Sequence, residues 1–286
     1  MDDTETFLIT PVPPAEEPVE HAAGMMSVVL VPLERMDAFL RDWRTLIIGA
    51  IEDNPFLDPA FMVPAASNLL TGGELVFATV WEETGATKAL VGLFPMKPPA
   101  RPFSNGWHKS ARALLWRHPL QPFCGPLIAG PLHRAEATVA AFIDWLLTRR
   151  TPFTALDVDG ALSGSIAVDL LLAEASRRGM AVQSHRDAPH TYGLDFRPSI
   201  KMPGIDDVQV VREPRAVRFA LESLLCVDGQ QRRRPAKAAI LDSPQHVTFL
   251  RAAVRALSLE NKVAIATVGT DTVEAGAIVV IGRERA

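Results

Sequence analysis

The sequence predicts a mixed α/β protein: a mixed sheet with flanking helices, followed by a second, incomplete copy of the same arrangement. Three observations carry this. Apolar residues switch between a period of two and a period of 3.6, which marks alternating strands and helices. The run 153–184 reads strand–turn–helix–strand, a βαβ unit whose parallel pair needs a crossover helix. A pattern around residues 59–80 returns at an offset of 188, as a duplicated unit would.

Residues 1–25 are acidic and proline-rich, with Asp2, Asp3, Glu5, Glu16, Glu17 and Glu20 among four prolines. Such a segment has too little apolar surface to offset its ordering entropy, so a disordered tail is expected. Val28–Val31 reads as a short strand. Met36, Phe39, Leu40, Trp43, Leu46, Ile47 and Ala50 then recur at spacings of three and four, one apolar stripe of a helix. Asn54-Pro55 stops it, because the residue before proline leaves the helical region. A second helix spans 58–70, and Glu74–Trp81 with Lys88–Met96 forms a hairpin about Gly85. The proline-rich stretch 97–131 reads as a long functional loop holding a short helix at 110–117, with a further helix over 135–150.

Phe153–Val158 reads as a buried strand, Asp159–Ser165 as a small-residue turn, and Ile166–Arg178 as an apolar helix. Met180–Ser184 and Tyr192–Phe196 read as strands. After Pro198 come a strand near 207–212, helices over 215–226 and 244–260, and a hairpin of 262–268 with 273–281. The expected division is a first domain over 26–200 and a partial second one over 201–286. Phe61 aligns with Phe249, Leu75 with Val263, Val80 with Val268, and Gly92 with Gly276 on the return strands. The second copy runs to Ala286 directly after its hairpin, without a βαβ unit. The edge at Val273–Ile281 is therefore expected to be covered by the first domain or by a partner or second copy of the chain, or else the chain is a fragment.

Composition narrows the function. The chain has 286 residues, 48% hydrophobic and 22% charged, enough to build a large core. No apolar run reaches the roughly 18–20 residues of a membrane span, and the acidic start is unlike a secretory signal. Cys124 and Cys226 make neither a disulfide framework nor a metal box, which fits a reducing cytoplasm and no metal. Outside residues 1–24 there are 29 basic and 27 acidic residues, without the basic footprint of a nucleic-acid binder. Arg232-Arg233-Arg234 is the local exception, read as a solvated loop with phosphate binding as its alternative.

Several short motifs follow one another in a recognisable order. They are Asn54-Pro55-Phe56 before a helix, Val91-Gly92-Leu93-Phe94-Pro95 on a return strand, His118-Pro119, Gly125-Pro126-Leu127-Ile128, Leu221-Glu222, and the helix containing Phe249. Together they resemble the CelD-like branch of the GNAT acetyltransferase superfamily, related in fold to FemAB-like aminoacyltransferases. The resemblance covers roughly 30–286 and implies two GNAT-like halves in one chain. It also implies acetyl transfer from acetyl-CoA to an amine or sugar-linked acceptor, near cellulose or other exopolysaccharide production. The chain departs from the family after Leu221-Glu222, where Cys226 and Gly229 replace a Gly-Trp-Lys-Gly segment. It departs again around Pro198–Gly204, which lacks an arginine-rich joint, and in the absent later strands of the second half.

Acetyl transfer needs a splayed parallel strand pair, a helix N-terminus for the pyrophosphate, and a base for the incoming ammonium. The turn that enters a helix from the buried strand is Asp159–Ser165, which makes Gly160, Ser163, Gly164 and Ser165 the candidate donor cradle. Glycines permit close backbone approach and a serine can cap the helix. Ordinary capping of a core helix is the alternative reading. Tyr192 is a candidate acid, His108, His118, His185 and His190 candidate bases, Cys124 a candidate nucleophile, and Trp107 and Trp116 candidate sugar platforms. Each also reads as a packed or capped structural residue. A noncatalytic, degenerate GNAT-like binding or scaffold protein is the competing function.

Overall fold

A computed structural model of the chain describes residues 4–10, 25–70, 75–98, 112–117, 121, 124–148, 153, 155–185, 208–230, 240–269 and 273–282. It is a mixed α/β protein whose contacts divide it into two compact units. Unit 1 comprises Met1–Asp53 and Gly72–Leu194; unit 2 comprises Asn54–Thr71 and Asp195–Ala286. In chain order the elements begin with β1 (Thr4–Thr10), β2 (Met25–Pro32), α1 (Leu40–Ile48) and α2 (Pro59–Leu69). Next come β3 (Val76–Thr84), β4 (Thr87–Lys97), β5 (Arg112–Leu115), β6 (Leu127–Ile128) and α3 (Leu132–Leu147). β7 (Ala155–Leu162), α4 (Ile166–Arg177), β8 (Ala181–His185) and β9 (Val208–Val211) follow. The last are α5 (Pro214–Gln230), α6 (Pro244–Leu259), β10 (Val263–Val268) and β11 (Ala275–Val280).

Unit 1 is built on one mixed sheet of order β2-β3-β4-β5-β7-β1-β8, with β6 paired to β4. Its two faces are read off the register. Phe77 lies opposite Pro95, and Ala78 opposite Phe94, so Phe77 and Phe94 point to opposite sides. On the Phe77 side, Phe39 and Trp43 close an aromatic cluster with ring centroids 5.5 and 5.6 Å from Phe77. These two residues belong to the predicted stripe, although its first turns, Leu33–Phe39, are 3-10 rather than α. On the other side Phe142 of α3 stacks on Phe94 at 3.7 Å, with the rings 4° from parallel. α3 comes this close because Gly92 has no side chain: a Cβ there would lie 2.6 Å from Thr138 Cγ2 and 3.1 Å from Val80.

Three expectations change in unit 1. Thr4–Thr10 is a strand, not part of a disordered tail; it pairs antiparallel with both β7 and β8. Three threonines and the apolar run Phe7-Leu8-Ile9 suffice for a strand in the middle of a sheet, and the neighbouring prolines mask them in a composition average. As a consequence β7 and β8 are not neighbours, because β1 lies between them. The parallel pair is β5 with β7, in the register Arg112–Leu114 against Ala155–Asp157, and α3 lies in its crossover. The predicted short helix at 110–117 is thus strand β5. α3 and α4 pack together.

Unit 2 has a three-stranded antiparallel sheet of order β9-β10-β11 with α2, α5 and α6. α2 belongs here rather than with the elements around it in sequence, a departure from the expected division at 200. It is apolar on most faces, and Phe61 meets its repeat counterpart Phe249 edge-on at 5.2 Å. Asp58 caps α2 by accepting from Ala60 N at 2.8 Å, and Lys262 Nζ binds the same carboxylate at 2.7 Å. The sheet repeats the order and antiparallel sense of β2-β3-β4, but the proposed match of Gly92 with Gly276 slips by one residue. Val80 pairs with Gly92 whereas Val268 pairs with Ala275, so Gly276 faces Leu224 of α5 on the opposite side. Among the described residues no helix is long and apolar enough to cross a membrane. Arg232–Arg234 and Tyr192–Phe196 lie outside the described residues.

Gly92→Ala is expected to lower stability by about 1–3 kcal/mol through overpacking against α3, with part of the loss restored by adding Thr138→Ala. Urea denaturation checks this; an unchanged midpoint for Gly92→Ala would show that α3 does not sit against this strand.

Candidate functional site

The parallel pair is where neighbouring strands part. β5 lies between β4 and β7, pairing with Met96–Lys97 on one side and Ala155–Asp157 on the other. Further along, Cys124 bridges Ala161 in parallel and donates N–H to Gly160 O at 2.9 Å. Beyond Cys124 the two strands part. Leu127–Ile128 keep to β4, opposite Leu93 and Gly92, while β7 runs on against β1. The helix following the fork's first strand is α3, behind Pro131; the helix following its second strand is α4, behind Ser165.

The edge of β6 away from β4 is occupied by the chain's own backbone. Ala129 donates to Val91 O on the β4 side, which turns the alternate groups outward. Those outward groups meet the segment following α1: Ile51 N donates to Ile128 O and Gly130 N to Gly49 O, both at 2.8 Å, with Ala50 bridging Ala129. The next residue, Glu52, reaches the start of α4, where Ser165 Oγ donates to its Oε1 at 2.5 Å. Ser165 Oγ also accepts from Val168 N at 3.3 Å, an N-cap made by a residue only 4% exposed. A carboxylate therefore already stands at the positive end of the α4 dipole.

The structure places the four predicted cradle residues differently from one another. Gly160 has φ +75° at an irregularity in the β1–β7 register, and the Arg117 guanidinium covers it so closely that a Cβ would lie 2.6 Å from Nη1. Arg117 also pairs with Asp159 at 3.4 Å. Ser163 and Gly164 are exposed, Gly164 with φ +76° and open space at its Cβ position. Ser165 is the cap bound to Glu52. Two features thus set this turn apart from the expected cradle: Gly160 lies under a guanidinium, and a carboxylate holds the helix start.

The other candidates separate. Cys124 is buried at the fork, and burial pushes its thiol up to about 12 despite the nearby Arg117 guanidinium, which favours the packed reading over the nucleophile. Trp116 is buried, with its backbone N–H donating to Pro95 O at 2.8 Å, and is a packed anchor rather than a sugar platform. His185 ends β8. Trp107, His108, His118, His190 and Tyr192 lie outside the described residues. Among the described residues no group of three or more His, Cys, Asp or Glu side chains could hold a metal ion. A groove of about 440 Å³ between α3 and α4 has Ala137, Ala140 and Ala173 among its lining and Glu174 at its rim. Burial raises the Glu174 carboxyl, but hydrogen bonds from Arg177 and Arg178 outweigh it and hold the group below its ordinary value.

Sequence reasoning missed Glu52, Arg117 and Gly49–Ile51. A signal was present for the first, since Ile51-Glu52-Asp53 follows the α1 stripe without continuing it. Comparison with protein-family models, curated proteins and solved structures finds no match for this chain.

Of the two cysteines, Cys226 is exposed and Cys124 buried. Iodoacetamide at pH 8 is expected to add one label to the native protein, on Cys226, and a second only after denaturation. Intact-mass and peptide spectra check this; a native adduct on Cys124 would contradict the packing of the fork.

Proposed function

We propose that the chain is a noncatalytic, GNAT-like binding or scaffold protein. The observation that carries the reading is the strap Gly49–Glu52, which pairs with the β6 edge and puts a carboxylate at the start of α4. The magnitudes favour closure. An anion held within about 4 Å of Glu52 would meet a repulsion of about 4 kcal/mol at an effective dielectric near 20. The helix end supplies an attraction of only about 0.3–1 kcal/mol. Clearing the strap also sacrifices two backbone hydrogen bonds, each worth about 0.5–1.5 kcal/mol net. Two cysteines without a disulfide support a cytoplasmic setting.

A second reading is acetyl transfer from acetyl-CoA to an amine or sugar-linked acceptor, linked to exopolysaccharide or cellulose production. The observation favouring it is the fork itself, a parallel β5–β7 pair that parts after Cys124. Isothermal titration separates the two. With millimolar acetyl-CoA the full chain is expected to give no saturable heat. Saturable heat, together with release of free CoA in the presence of an amine, would overturn the scaffold reading in favour of transfer.

A further inference from the structure

We propose that the outer edge of β2 pairs antiparallel with the same edge of a second copy of the chain, in a reversible dimer whose two-fold axis passes Val28. The inference concerns the sheet of unit 1 alone and holds whether or not the chain takes an acyl donor. Its basis is the backbone. β2 stands at the end of the strand order and pairs with β3 residue for residue, from Met25 opposite Glu83 to Pro32 opposite Val76. Just beyond, Leu33 N donates to Leu75 O at 3.2 Å, which fixes which residues of the ladder are the hydrogen-bonded ones. Met25, Ser27, Val29 and Val31 therefore turn their N–H and C=O toward β3, and Thr79 Oγ1 also donates to Val29 O at 2.9 Å. Met26, Val28 and Leu30 turn theirs outward, where no described strand lies.

This edge lacks the devices that keep strands apart. Met25–Pro32 holds no charged side chain, no proline before its last residue and no bulge against β3. Met25 is 71% exposed and Val29 44%. The occupant is a second copy because the edge is complementary to itself, as an isologous contact requires. With the axis at Val28, Met26 faces the second copy's Leu30, Val28 faces its own counterpart, and Leu30 faces the second copy's Met26. Each pair exchanges both of its N–H···O bonds, giving about six in all, within the about 10 ± 5 of a standard interface. The side chains match on both faces. Met26, Val28 and Leu30 meet apolar residues on the α3 side, while on the other face Val29 lies over the second copy's Ser27 and Met25 over its Val31. One strand edge buries less than the about 800 Å² per partner of a tight dimer, so the association is weak and concentration-dependent.

Sedimentation velocity of the full chain, combined with amide hydrogen exchange, is the test. The mass is expected to shift from one chain toward two between micromolar and millimolar concentration. Over the same range the amides of Met26, Val28 and Leu30 should slow at least tenfold. Val29→Lys sets a charge on an exposed side chain beside the axis and should raise the dissociation constant at least tenfold with the far-UV spectrum unchanged. Val28→Pro removes an N–H that β3 does not use and should abolish the dimer. A chain still monomeric at millimolar concentration would overturn the proposal, as would a dimer in which these three amides exchange as fast as in the monomer. So would slow exchange that dilution leaves unaltered, because the chain would then cover its own edge, or a folded Val29→Lys chain that dimerises like its parent.

Discussion

The strap of Gly49–Ile51 against Ile128–Gly130 is the constraint on which the arrangement of unit 1 depends. Two 2.8 Å backbone bonds fix where the chain goes after α1, and they use the donor and acceptor groups that parting strands would otherwise leave open. From that anchor Glu52 is delivered to Ser165, so the start of α4 is satisfied twice, by its own hydroxyl cap and by a carboxylate. The same residues tie the end of α1 to the fork, and the fork to the beginning of α4. A site that would suit an anion is thereby held by the protein itself.

Much of the fold was legible because periodicity reports burial directly. The stripe from Phe39 to Ile47, the β3–β4 hairpin, α4 with its Ser165 cap, and the α6–β10–β11 run lie where their apolar spacing puts them. What was not legible is pairing over long sequence distance. Nothing local in Thr4–Thr10 says that it enters the sheet between β7 and β8, a position that separates the two strands expected to be neighbours. The slip between Gly92 and Gly276 has a similar origin: two glycines match in type, but one-residue register decides which face each serves.

The site was legible only as a capping position. Ser165 was recognisable from its place before an apolar helix, and Gly160 and Gly164 do adopt positive φ. The groups that decide their chemistry come from elsewhere in sequence, Arg117 over Gly160 and Glu52 beside Ser165, separated from them by 43 and 113 residues respectively. Two units with the same three-strand order also diverge for a physical reason. Under α3, Ala78, Val80 and Phe94 are buried, whereas in the matching rows of unit 2 Val208, Val210 and Val268 are exposed.

Amide hydrogen exchange at the strap tests the central claim most directly. The account predicts slow exchange for Ile51 and Gly130 in the native protein, and rates that millimolar acetyl-CoA leaves unaltered. Rapid exchange at these amides, or a change in their protection when acetyl-CoA is added, would contradict it.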